Sequence, residues 1–279
     1  MKDTLQRFIF KDKGIRGELV RLDKSLMTIM GQHSYPVPVR KLLAQTLCSS
    51  VLLSATLKYE GQLTIQFQND GILNMLVAKC DNQHRIRATA QWDAAGDFKK
   101  IESEFAAGKL VITILDETSG KHYQSIVDIH RQSIASALEG YFMQSEQLST
   151  KLWMGYRQNS AVGLLLQKLP SDSAEEAIAW EHITTLANTV QSHELLTWDN
   201  STLLNKLFHE EDIVLYEPKP VVFHCTCNTN KMLESVRLLG EAEAMDILKT
   251  HRFVEVTCEY CNHHFEFDAN DVKALFTRH

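Results

Sequence analysis

Four of the chain's six cysteines fall in two short stretches near its end, "FHCTCNTNKM" from Phe223 and "VTCEYCNHHF" from Val256. The first holds a C-x-C (Cys225, Cys227) and the second a C-x-x-C (Cys258, Cys261), with thirty residues between them. Two cysteines set two residues apart direct both sulfurs to one point from a turn, and two such pairs complete a tetrahedral zinc site. Thiolates are soft donors, so metals that prefer oxygen are disfavoured. The plain alternative is four unmetallated buried thiols. Against it, cysteine occurs elsewhere only as isolated Cys48 and Cys80, inside apolar helix and strand patterns that mark both as structural. His224, His263 and His264 adjoin the thiols and offer substitute ligands, but four cysteines already satisfy zinc.

The same residues can do redox chemistry. Zinc holds cysteines as thiolates, the form that peroxide attacks. Freed of metal, Cys225 and Cys227 can bond only through a very short loop, and strained disulfides are the readily reduced ones. A structural zinc contributes about 10–16 kcal/mol in small fingers, whereas whole domains are stable by about 5–15 kcal/mol. Losing it would unfold a small module, and disulfides closing such small loops would restore little.

The elements that position these thiols are legible around them. Short helices at roughly 230–239 and 241–249 fill the space between the pairs. "FVEVT" and "HFEFD" read as strands flanking "CEYC", and "NDVKALF" as a closing helix. Asn262 stands where a left-handed residue is needed, a conformation Asn tolerates. This module, residues 221–279, is near the size where one core is marginal and a metal is a common supplement.

Residues 1–170 alternate strand and helix signals. "IRGELVRLD" is extended. A long helix is expected over 36–61, with Pro36 and Pro38 at its entrance and Gly61 just past its end. "LTIQFQ" alternates as a half-buried strand does, and Asn69-Asp70-Gly71 is a hairpin signal. "ILNMLVAKC", "HRIRATAQW", "KLVITIL" and "HYQSIVDI" continue the sheet. A helix is expected from about Gln132 to Gln147, then strands in "QLSTKLWMGY" and "AVGLLLQKL". Mostly antiparallel strands with segregated helices define an α+β class.

Residues 171–220 change character. They hold ten acids and two bases, a charge of −8, so that the rest of a chain at −6 carries +2. Ser173 and Glu176 suggest a capping box, and "NSTLLNKLFHEE" a second helix. Ten large apolar residues argue against a flexible spacer, and "EPKP" reads as a stiff connection to the C-terminal module. A nucleic-acid binder shows a basic stripe; this charge distribution disfavours that partner. No apolar run reaches the ~18 residues of a membrane span, and "MKDTLQRFIFKDKG" lacks a secretory pattern. A cytoplasmic protein with reduced thiols is expected.

Several stretches carry a resemblance: "RGELVRL", "LLSATLKYEGQLTIQFQNDG", "GYFMQSEQL", "ELLTWDNSTLLNKLFHEEDIVLYEPKPVVFHCTC" and "CEYCNHHFEF". Over essentially its whole length the chain resembles the redox-regulated 33 kDa heat-shock proteins, or 33 kDa chaperonins. The resemblance implies an oxidation-activated holdase without enzymatic turnover, with Cys225, Cys227, Cys258 and Cys261 as ligands of one Zn2+. It further implies disulfides Cys225–Cys227 and Cys258–Cys261, unfolding of the middle segment, and homodimerisation on activation. Unfolded proteins would be the clients, passed to ATP-dependent chaperones for refolding. Asn262 departs from the glycine frequent in relatives, with a small change in turn stability expected. Within the acidic segment, Trp180, Leu195, Leu196, Trp198, Leu207 and Phe208 are the expected client-binding side chains after oxidation.

Three rival chemistries stand beside this one. A thiol–disulfide oxidoreductase uses C-x-x-C, but usually at the start of a helix in a βαβ setting. A zinc-ribbon nucleic-acid adaptor is opposed by the charge. A zinc deaminase would use "HEE" at 209–211, but "TCEYC" lacks the proline of the P-C-x-x-C partner. No Ser/His/Asp constellation or phosphate-binding glycine loop is evident.

Overall fold

The structure is a computed structural model and describes residues 3–129 and 133–277. The chain divides into two compact units, with the break between Phe223 and His224.

The first unit opens with a hairpin that sequence patterning did not show in full, β1 (Thr4–Phe10) and β2 (Ile15–Leu22), with Arg7 opposite Glu18. Helix α1 (Lys24–Met30) leads to α2 (Val37–Thr56). The latter is buried almost all round, the signature of a central helix. Its buried hydroxyls bond back along the helix, Thr46 to the Leu42 carbonyl and Ser49 to that of Gln45, each at 2.8 Å. The expected end near Gly61 is too late. The helix stops at Thr56, where Arg7 donates to the Ala55 carbonyl (2.6 Å) and Arg16 to that of Thr56 (3.2 Å). Cations thus close a helix C-terminus from the neighbouring sheet.

Strands β3 (Gly61–Gln68), β4 (Leu73–Asp81) and β5 (Arg85–Trp92) follow as an antiparallel meander. After the short α3 (Ile101–Phe105), β6 (Lys109–Asp116) and β7 (Lys121–Asp128) join its other side. The expected helix start at Gln132 lies outside the described residues. From Ser133 onward the single helix becomes α4 (Ile134–Tyr141) and one wider turn, Phe142–Glu146, closed by left-handed Gln147. The Tyr141 hydroxyl donating to Glu146 (2.9 Å) braces that turn.

The β8 (Thr150–Arg157) and β9 (Ser160–Lys168) hairpin then pairs with β2. Helices α5 (Ala174–Ala187), α6 (Ser192–Thr197) and α7 (Asn200–Phe208) lead to three short strands, β10 (Ile213–Leu215), β11 (Lys219–Pro220) and β12 (Val222–Phe223). "EPKP" is therefore not a free connection. Lys219 and Pro220 pair with Leu5 and Thr4 at the sheet edge, a position that tolerates proline.

Two six-stranded sheets result. One runs β10-β1-β2-β9-β8 with β11 also on β1, the other β12-β5-β4-β3-β6-β7. Helix α2 packs against strands of both, and the main core forms around its Leu43, Leu47 and Val51 together with Ile65, Phe67 and Leu165. Val221 is buried in the same core. The other face of the first sheet carries Phe8, Phe10, Leu19, Val162, Leu164 and Leu166 under α5–α7. Phe8 lies over Gly17, where a Cβ would come within 2.0 Å of the ring. No helix among the described residues is long and apolar enough to cross a membrane.

The second unit contains α8 (Thr229–Arg237), α9 (Glu241–Thr250), the hairpin β13 (Val254–Thr257) and β14 (His264–Phe267), and α10 (Ala269–Thr277). Its core is small: Val236, Ala244, Val254, Phe267, Val272 and Leu275. The elements match the sequence reading in type and order.

Candidate metal centre and the docked acidic segment

Cys225 and Cys227 lie in the extended stretch before α8, whose N-cap Asn228 accepts from the Lys231 amide (2.9 Å). Cys258 and Cys261 lie in the connection from β13 to β14. The Cys258 amide donates to the His263 carbonyl (2.9 Å), and the Asn262 amide to the Cys258 carbonyl (2.8 Å). Asn262 takes φ 52°, the left-handed conformation expected of it. The turn therefore points both sulfurs the same way.

All four sulfurs lie within 4.8 Å of one another. Across the pairs, Cys225 Sγ lies 3.6 Å from Cys258 Sγ and Cys227 Sγ 3.4 Å from Cys261 Sγ. Metal–sulfur bonds of about 2.3 Å give a tetrahedron with edges of roughly 3.8 Å, so the cluster is suited to zinc. Cys258 is buried and the other three are half-buried. Burial opposes ionisation of Cys225, yet hydrogen bonds from Cys227 and the neighbouring sulfurs outweigh it and hold that thiol below its ordinary range. Burial pushes Cys227 and Cys261 up, with adjacent sulfurs adding to the rise in Cys227.

His224, His263 and His264 are exposed and outside the cluster. His264 Nδ1 lies 2.8 Å from the Thr257 hydroxyl, and the His263 ring stands edge-on to Phe265. The "HEE" residues are also elsewhere engaged: Glu211 meets Lys13 (2.6 Å) and His182 (3.3 Å), and His209 faces Glu210 at 3.7 Å. Cys48 and Cys80 are buried, and burial raises both thiols, Cys80 to about 12.

The acidic segment is docked through its apolar face. Leu195, Leu207 and Phe208 are buried against the sheet, and Trp180, Leu196 and Trp198 are half-buried around them. The Ser173 hydroxyl caps α5 by accepting from Glu176 N, but the reciprocal capping box sits at Gln191 and Glu194 of α6. One residue that sequence reasoning passed over holds the segment down. Arg21, only 5% exposed, donates to the Leu195 carbonyl (3.0 Å), the Trp198 carbonyl and Asn200 Oδ1 (2.5 Å). Period-two alternation in "RGELVRL" puts Arg21 on the Gly17 and Leu19 face, the only signal that pointed to it.

Fold and site together define a class: an α+β protein with a docked acidic helical segment and a small unit gathering four cysteines. A family model described as "Hsp33 protein" matches residues 3–268. The chain is 41% identical over 277 residues to the 33 kDa chaperonin of Nitrosococcus oceani, covering 99% of this chain and 95% of that one. It is 37% identical over 281 residues to that of Pseudomonas aeruginosa, covering 98% and 94%. A crystal structure of the 33 kDa chaperonin from Thermotoga maritima superposes with TM-score 0.84 at 19% identity, covering 98% and 97%. The chain belongs to the Hsp33 family of chaperones.

Proposed function

We propose that this protein is a redox-regulated holdase, idle while reduced and metal-bound, and active after oxidation. Cys225, Cys227, Cys258 and Cys261 would hold one Zn2+, which when bound keeps the sulfurs as thiolates and closes the small unit. A peroxide takes two electrons from each cysteine pair, its O–O bond breaking to water as the S–S bond forms. The proposed bonds are Cys225–Cys227 and Cys258–Cys261, which leave no thiolate to hold the metal. A core of six buried side chains is then too small to stay folded alone.

The proposed organisation is a 1–170 domain, a metastable 171–220 segment and a 221–279 switch. Undocking of 171–220 would bare Trp180, Leu195, Leu196, Trp198, Leu207 and Phe208 to unfolded clients. Homodimerisation accompanies that state, and ATP-dependent chaperones refold what is released. The reading places the protein in the cytoplasm, without catalytic turnover and without nucleic-acid or membrane partners. One observation carries it: a four-sulfur cluster follows, in the chain, a charged segment that is docked by its apolar face.

The test compares suppression of a client's thermal aggregation by zinc-loaded reduced protein and by protein treated with peroxide at raised temperature, with zinc release and thiol count followed together. Activity only after oxidation, with zinc lost in step, is the expected result. Equal activity in both states, or reduced protein without zinc, refutes the switch.

A further inference from the structure

The α2-facing side of the sheet containing β1 and β2 is apolar at one end and charged at the other. Leu5 and Val20 pair in the core, while Arg7 and Glu18 pair at the next positions along the same face. Glu18 is 2% exposed. Its Oε1 stands 3.7 Å from Arg7 Nε, beyond hydrogen-bonding reach, and its Oε2 has no partner. Arg7 Nε is likewise buried and unpartnered. Arg16 is already engaged by Gln167 Oε1 and the Thr56 carbonyl. A cavity of about 400 Å³ opens beside these groups, with Leu5, Ile9 and Ala55 as apolar wall and Lys219 at its rim. A neighbouring cavity of about 420 Å³ shares Arg7 and Lys219 and is lined by His84, 5% exposed, whose Nδ1 also lacks a partner.

A buried carboxylate oxygen and a buried guanidinium nitrogen, in a loose ion pair at 3.7 Å but each without a hydrogen bond, are costly unless something completes them. They ask for opposite chemistry. Glu18 needs a donor, Arg7 and Lys219 need an anion, and the wall between is hydrocarbon. A simple anion would face Glu18; a simple cation would face Arg7, Arg16 and Lys219. We propose that the cavity binds a small zwitterion, an α-amino acid or dipeptide with apolar side chains, its ammonium on Glu18 and its carboxylate on Arg7 and Lys219.

Burial pushes the Glu18 carboxyl up to about 7, against the pull of Arg7 and Arg16. The groups facing it are Arg7 from β1, Arg16 from β2, and Glu217 and Lys219 from the edge segment; α2 and β9 present carbonyls and Gln167. Ammonium recognition requires the ionised acid, so binding should strengthen from pH 6 to pH 8.

The experiment titrates full-length reduced protein with leucine, phenylalanine, Leu-Leu, N-acetylleucine and leucinamide, by calorimetry and ligand-observed NMR. Leucine or Leu-Leu should bind, and each capped analogue at least about tenfold more weakly, the loss of one charge-assisted contact. Glu18→Gln should erase the difference between leucine and N-acetylleucine. Lys219→Met, on the exposed rim where folding is not at stake, should shrink the difference between leucine and leucinamide. No binding by any amino acid or dipeptide at about 10 mM would mean a cavity holding water only and would overturn the proposal. Capped analogues binding as well as leucine would overturn it too.

Discussion

Replacing Arg21 with methionine should loosen the acidic segment while leaving the rest of the first unit intact. The substitution keeps a long apolar stem over the sheet but removes the three donors that reach Leu195 O, Trp198 O and Asn200 Oδ1. Asn200 Nδ2 keeps its bond to Gln6 Oε1 (2.8 Å), but Asn200 Oδ1 loses its donor along with the two carbonyls. Each loses a charged donor worth about 1.5–3 kcal/mol, so the two carbonyls alone cost about 3–6 kcal/mol. At about 1.4 kcal/mol per tenfold, the undocked population rises by about two to four orders of magnitude. Native-state hydrogen exchange reads this directly, because the amides of Leu195 and Leu203 are bonded within the segment, to Gln191 and Asp199. Their protection should fall by that factor, while amides of β3 and β6 keep theirs. Arg21→Lys should lie between, holding the charge without the fork. Under the proposed function, the methionine variant also holds clients while reduced. Unchanged protection over 192–208, or an equal loss in β3 and β6, would refute the reasoning.

Under the proposed function, chelating the zinc from reduced protein should collapse the NMR dispersion of the Val236, Val254, Val272 and Leu275 methyls, whereas fluorescence of the four tryptophans, all in the first unit, stays native-like at first; a second unit that stays folded would count against the proposed structural metal. Asn262→Gly relieves a residue held at φ 52° and should stabilise the second unit by up to about 1 kcal/mol, read as a higher melting midpoint. Glu18, with a folded-state value of about 7 against an ordinary 4.5, keeps its proton longer when folded. It therefore lowers stability progressively from about pH 4.5 to pH 7, by up to about 3 kcal/mol in all. His84, pushed down to about 4 by burial and by Arg7 and Lys219, acts oppositely over about pH 4 to 6.5 but is common to both proteins compared. The stability difference between Glu18→Gln and the unaltered protein should therefore grow from pH 5 to pH 8 in denaturant titrations, and a flat difference would remove Glu18 as its source.

The thiol cluster was legible because its geometry is local. The i, i+2 spacing of Cys225 and Cys227 in an extended stretch and the turn spacing of Cys258 and Cys261 aim each pair, and Asn262 announces the left-handed residue that the turn requires. Strands β3–β7 were legible for the same reason, through period-two alternation and the Asn69-Asp70-Gly71 turn. What escaped depends on distant partners. Helix α2 ends at Thr56 because Arg7 and Arg16 reach its carbonyls from another element, and no signal within 36–61 encodes that. "EPKP" reads as a connector until β1 is available to pair with it. Arg21 looks like an ordinary strand arginine until α6 and α7 fold over it.

Strands β2 and β9 are covered on both sides, by α2 and by α5–α7. Lifting the acidic segment would create two adhesive surfaces from one interface, one on a moving chain and one on a rigid sheet. Because the segment remains tethered, it faces its own vacated seat at an effective concentration in the millimolar range. Under the proposed function, any client on that sheet face would therefore be in permanent competition with the protein's own helices. Weak binders would be shed first as docking becomes favourable again, so the release order would be set by intramolecular rivalry and would require no fuel.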